Sequence, residues 1–196
     1  MAITLGTLPR LTTFSMRAVS AANDLRPSFG GPVQRLGRKG SRFALDVKVP
    51  AMSAKGCGIA LIADLLRGET ETVILPVPDY VPAVPYGTPL VNGAGQLGTT
   101  LVIDGLTPNV AILKGKFLSV ILGGQRYVHI VAAQTTANGS GQASLPIWPM
   151  LRTPTTDNAV VELAAPKIEG FVQPGQEWSI SRLQAVGVDF SVEERA

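Results

Sequence analysis

The chain has 196 residues with one cysteine and one histidine. That length suits one domain or two small ones, and the composition excludes a disulfide framework and a four-ligand zinc module. Charged residues make up 16%, below the ~25% of an ordinary soluble domain, while 21 glycines and 15 prolines argue for short strands and turns over long helices. So little charge is thin cover for a free monomer and points to a surface shared with other subunits.

The net charge of +3 is unevenly placed: the first fifty residues carry eight cations (Arg10, Arg17, Arg26, Arg35, Arg38, Lys39, Arg42, Lys48) against Asp24 and Asp46. The opening MAITLGTLPRLTTF has neither the basic start nor the apolar run of a secretory signal. No segment approaches the ~20 apolar residues of a membrane span. Synthesis in a cytoplasm is the expectation, where the thiol of Cys57 stays reduced.

In chain order, Phe14, Met16 and Ala18 alternate with Ser15 and Arg17, and Phe43, Leu45, Val47 and Val49 alternate with Ala44, Asp46 and Lys48. This period of two predicts antiparallel neighbours. The turn Gly37-Arg38-Lys39-Gly40 predicts a hairpin joining 32–36 to 41–49. Arg35, Arg38, Lys39 and Arg42 could grip phosphates, but with no aromatic platform between them they read as a hairpin tip kept soluble by charge. One helix follows, with Ser53 as N-cap, Ile59, Ile62, Ala63 and Leu66 as its buried stripe, and Gly68 as a left-handed C-cap. Cys57 reads as a small buried filler within it, not as a reactive thiol. A strand is predicted at 72–75.

Residues 76–89, PVPDYVPAVPYGTP, cannot be a central strand, because proline removes ladder donors. They read as a stiff connector and a domain boundary. Five short strands follow, at 89–91, 99–104, 117–122, 127–132 and 143–148, separated by glycine and asparagine turns. That is the size of a small barrel of the oligomer-binding type. The tail returns to strand pattern through Val160, Val161 and Leu163, then Ile168 and Phe171, then Trp178, Ile180 and Leu183, then Val188, Phe190 and Val192. The predicted fold class is mainly β: a split β-sandwich or barrel domain with one α-helix (1–85 plus 151–196) and an inserted small OB-like β-barrel (86–150).

Chemical motifs are sparse. Gly93-Ala94-Gly95-Gln96-Leu97-Gly98 matches G-x-G-x-x-G but runs into the strand residues Thr99 to Ile103, not into a helix N-terminus, so it reads as a glycine turn. Gly115-Lys116 lacks the following Ser or Thr of a phosphate loop. His129 has no nucleophile elbow to serve and reads as a packed strand residue on the face of Tyr127 and Val131. Asn138-Gly139-Ser140 reads as a hairpin turn. Tyr80, Tyr86, Trp148 and Trp178 could stack a sugar if exposed together, although Trp148, framed by prolines, reads as a pin at a domain seam. Lys114, Lys116 and Arg126 against Asp104 make a weak basic groove for nucleic acid. No catalytic, cofactor-binding or metal residue is expected, and the chain is not expected to be an enzyme.

A β domain with one helix, a barrel inserted after Thr72-Val73-Ile74-Leu75-Pro76-Val77, and a return ending Asp189-Phe190-Ser191-Val192-Glu193-Glu194 resembles the distal tail proteins of long-tailed bacteriophages. The middle unit adds Leu113-Lys114-Gly115-Lys116-Phe117-Leu118-Ser119-Val120, Arg126-Tyr127, Gly141-Gln142-Ala143 and Pro149-Met150-Leu151-Arg152. The resemblance spans the whole chain. It implies a virion structural protein made in the host bacterial cytoplasm and placed at the tail tip. There it would form a homo-oligomeric, hexameric ring between the tail-tube protein and the baseplate hub protein. The first domain would form the belt around a channel through which DNA passes as cargo, and the barrel would project outward to hold, at most, a receptor-binding protein. Arginines on a channel wall would attract the phosphates of passing DNA, so Arg35, Arg38 and Arg42 are expected to face outward or to pair with acids of a neighbouring subunit. Another tail component (tube, terminator or hub) and a saccharide-binding baseplate module are the competing readings.

Overall fold

Period-two alternation dominates the chain, and the structure is mainly β with one α-helix. The computed structural model describes all residues except 1, 7, 80, 82, 83, 176, 177, 181–184 and 196; Tyr80 and Leu183 lie outside the described residues.

The first third comprises β1 (Ile3–Thr4), β2 (Thr13–Val19), β3 (Asn23–Leu25), β4 (Gln34–Leu36), β5 (Arg42–Ser53), a π-helical turn (Ala54–Gly58), α1 (Ile59–Arg67) and β6 (Val73–Pro76). The middle comprises β7 (Gly87–Val91), β8 (Gly98–Leu106), β9 (Ala111–Ile112), β10 (Phe117–Leu122), β11 (Gln125–Val131), β12 (Thr135–Thr136), β13 (Ala143–Leu151) and β14 (Val161–Glu162). The chain ends with β15 (Lys167–Val172), β16 (Trp178–Ile180) and β17 (Ala185–Glu194).

The two ends of the chain build one outer sheet in the order β1-β6-β15-β17-β5-β2, with β16 also paired to β17. Its alternation is visible in the rows: Leu45 lies between Met16 and Val192, and Val47 between Phe14 and Phe190. The face carrying Phe43, Leu45, Val47 and Val49 is buried. Helix α1 covers part of it with Leu61 and Leu65. A Cβ on Gly68 would lie 2.5 Å from Val172 and 2.8 Å from Val73, so glycine lets the helix end touch the sheet.

The middle strands curl in the order β14-β10-β11-β13-β8-β7. A bridge between Leu90 and Val160, with Val91 N–H donating to Ala159 O at 2.9 Å, brings the first strand beside the last in a nearly closed barrel. The barrel leaves and rejoins the outer sheet at adjacent points: Pro76 pairs with Lys167, and Val77 N–H donates to Pro166 O at 2.9 Å.

Several expectations need correction. The partner of β4 is β3, with Asp24 opposite Arg35. Residues 32–36 therefore do not pair with 41–49; β5 pairs with β2 from Thr13↔Lys48 to Val19↔Arg42. Residues 20–41 form a separate arm at the end of that ladder, and Gly37 to Gly40 are its return path. The helix buries Leu61, Ile62 and Leu65, while Ile59 and Leu66 are exposed and Ala63 faces solvent too. Both sides of IALIADLLR are apolar, so spacing alone admitted either stripe. Ser53 makes no side-chain cap, and Gly68 is right-handed with φ −63°. Cys57 is exposed, not buried. The barrel has six strands rather than five, and Leu151, Ala159, Val161 and Leu163 belong to its core, beyond the residue 150 at which the sequence reading ended it. Alternation cannot tell which sheet edge a strand will join. No helix among the described residues is long and apolar enough to cross a membrane.

Candidate assembly interface

The seam between barrel and outer sheet combines an aromatic cluster with buried ion pairs. Phe43 of β5 stands edge-on to Phe117 and Trp148 of the barrel, with ring centroids 5.6 and 5.1 Å apart. Trp148 thus pins the seam. Glu194 continues the buried face of β17 that holds Val188, Phe190 and Val192 and is only 1% exposed. Its carboxylate accepts from Val128 N–H at 2.8 Å and Phe43 N–H at 3.3 Å and lies 2.5 Å from Nη2 of Arg152, whose guanidinium rests over Tyr127. Burial pushes the Glu194 carboxyl up, and Arg152 with the two amides pulls it back. The partners of this carboxylate come from β11, from β5 and from the residue just past β13, so the last residues of β17 lock both units together.

A second group lies alongside. Arg126 contacts Glu162 at 3.1 Å and Glu169 at 3.5 Å, and Ser119 Oγ donates to Glu162 at 2.7 Å. Burial works against the charge of Glu162, but Ser119, Arg126 and Lys167 together hold its carboxyl below the usual range. Lys116 is ion-paired with Asp79 of the proline connector and lies over the Tyr86 ring. With Lys116 and Arg126 ion-paired, Lys114 alone of the three cations is exposed, so the three do not line one basic groove.

The remaining motif residues are structural. Gln96 sits inside its glycine loop, donating to Asn92 O, Gly93 O and Val102 O and accepting from Val102 N–H at 2.7 Å. The loop amides of Gly93, Gly95 and Gln96 donate to Asp157, Thr155 O and Thr155 Oγ1, which leaves them unavailable to a phosphate. His129 is 1% exposed. Its Nδ1 faces Pro149 O at 2.8 Å; a carbonyl only accepts, so Nδ1 carries the proton. Burial lowers the His129 pKa to about 4, with Arg152 adding to the effect and the Pro149 bond opposing it. Asn138 Oδ1 accepts from Ser140 N–H and Gln142 N–H in a hairpin turn. Tyr86 is buried in the barrel, Trp148 is at the seam and Trp178 is in the outer sheet, so these three aromatics form no shared platform. Among the described residues, no group of three His, Cys, Asp or Glu comes together to hold a metal.

The outer surface differs in kind. From Leu25 to Lys39 every residue of the arm is exposed, including Phe29, at 103%. Arg35 is held by Asp24 across the hairpin at 2.7 and 3.0 Å, and Arg42 by Glu193. Both cations thus have an acid of their own chain beside them, and Arg38 is exposed. At the other end of β5, Gly6, Leu8, Met52, Cys57, Ala60 and Asp64 line an apolar pocket of about 100 Å³.

The seam residues Arg152, Glu194, Glu162 and Glu169 were not singled out as interacting groups from sequence. Glu194 carried a signal, since the alternation of β17 puts it on the core face; its partner Arg152, just past the end of β13, carried none. In comparisons with known proteins, no family model and no curated protein matches this chain.

Proposed function

We propose that this chain is a structural virion protein of a phage tail tip, a distal tail protein whose copies form a closed, hexameric ring joining the tail tube to the baseplate hub around the DNA channel. The observation that carries this reading is the two-unit architecture. A barrel is inserted at adjacent points of an open sheet, and that sheet throws out an arm with no core of its own. A protein that works alone has no use for such an arm, whereas a ring subunit buries it against a neighbour. The internal pairing of Arg35 and Arg42 reduces the charge that passing DNA would meet. The polar groups of the glycine loop are spent on each other and on Asp157 and Thr155, which suits a scaffold.

Expected partners are further copies of the chain, the tube protein, the hub protein and, on the barrel, a receptor-binding protein. The test is the native mass of the purified protein together with a reconstruction of the tail. A mass six times that of the protomer and density at the tail tip are expected. A strictly monomeric protein absent from tails would sink the reading.

A further inference from the structure

The arm is an unusual object for a folded chain. Its strands β3 and β4 pair over three residues each, it has no buried residue between Leu25 and Lys39, and a lone two-stranded hairpin is marginally stable in water. It nevertheless presents Leu25, Phe29, Val33 and Leu36, all at least 45% exposed. Apolar groups on a projecting hairpin point to a surface that covers them.

The pocket beside α1 is the complementary object. It lies between the segment after β1 and the start of the helix, is apolar apart from Asp64, and at about 100 Å³ is of the order that takes one benzene-sized ring. Asp64 has no ion-pair partner among the described residues, and neither has Arg26, three positions before Phe29. An aromatic tip flanked by a free cation thus matches an apolar hole rimmed by a free acid.

Geometry forbids the match within one chain. The arm leaves β5 at Arg42 and the pocket includes Met52 near its other end, about 33 Å away at ~3.3 Å per residue. From Ser20 to Phe29 the arm reaches at most about 30 Å by the same measure, short of that span. We propose that the arm of one copy docks on the α1 pocket of the next copy, with Phe29 in the hole and Arg26 on Asp64. Knob and hole lie on different patches of one chain, so the contact is head-to-tail, and repetition with a suitable rotation closes a ring. This proposal rests on the ring reading above and names the contact that makes the ring.

Cys57, the only cysteine, is exposed and lines the pocket, so it supplies a probe. In Phe29→Cys protein, mild oxidation or a short bis-maleimide should give a covalent ladder ending at the ring, and Phe29→Cys/Cys57→Ser should give none. Arg26→Glu and Asp64→Arg should each deplete the ring-sized species at least tenfold, and the double exchange should restore it. Phe29→Asp should leave a folded protomer by circular dichroism, because the side chain touches no core. If wild type forms a ring, Phe29→Cys protein gives no ladder and the ring survives Phe29→Asp, the docking is overturned and the ring reading stands. A wild-type protein monomeric at high micromolar concentration overturns both.

Discussion

The barrel and the outer sheet solve the same problem, burying one face of β-structure, with opposite degrees of self-sufficiency. Every residue of the barrel core lies between Tyr86 and Leu163, and the Leu90–Val160 bridge removes most of its free edge. The outer sheet has free edges at β1 and β2, and its core includes Val128, Phe117 and Ile130 from the barrel. One unit is complete; the other is finished by residues of the barrel. An insertion is usually regarded as a guest in its host domain, but here the host's core depends on the guest.

The largest expected effect comes from cutting the lock between them. Arg152→Ala leaves the buried Glu194 carboxylate without its cation and should cost about 3–5 kcal/mol, read as a fall in the urea midpoint. An unchanged midpoint would mean the seam is decorative. Next, Ile103→Ala in the barrel and Leu45→Ala in the outer sheet should each cost about 2–5 kcal/mol, with unequal reach. Ile103→Ala should speed amide exchange in both units, and Leu45→Ala in the outer sheet alone. Symmetric spreading would break the asymmetry argued above.

A pH titration sharpens the barrel side. The imidazole of His129 has its pKa lowered from 6.5 to about 4 by burial, so between those values the unfolded chain binds the extra proton. Its contribution is full above pH 6.5 and is lost as pH falls through about 4, amounting to about 3 kcal/mol at most. Glu194, whose carboxyl is pushed up, acts in the reverse sense, favouring the fold at low pH and less so as pH rises. The difference between wild type and His129→Asn isolates the histidine and should shrink from pH 7 to pH 4; a pH-independent difference would refute the buried neutral tautomer. The smallest effect is expected from Arg35→Ala. That pair on the arm, with Arg35 largely in solvent and Asp24 half-buried, should leave the protomer's unfolding midpoint where it was, since the arm lies outside both cores.

What could be read in advance follows from the range of the forces involved. Alternation in Phe14–Ala18, Phe43–Val49 and Val188–Val192 is a local pattern, and it located β2, β5 and β17. Proline density marked the connector for the same reason. Pairing partners are set by contacts distant in sequence, so β4 was assigned to β5 instead of β3, and β14 to the outer sheet instead of the barrel. The helix face was missed because α1 is apolar on both sides: Leu61, Ile62 and Leu65 are buried while Ile59 and Leu66 are left exposed. The buried ion pairs were the least legible, since Arg152 and Glu194 meet only once two units have packed.

The adjacent exit and return at Pro76–Lys167 also has a mechanical meaning. A load pulling the barrel away from the sheet enters β6 and β15 from the same end, and the ladder between two antiparallel strands then opens one rung at a time, as a zipper does. That joint is weak in tension. Resistance falls to the seam, where Phe43, Trp148, Arg152 and Glu194 would have to separate together. The strength of the barrel's attachment therefore resides in side chains far from the peptide links that tether it.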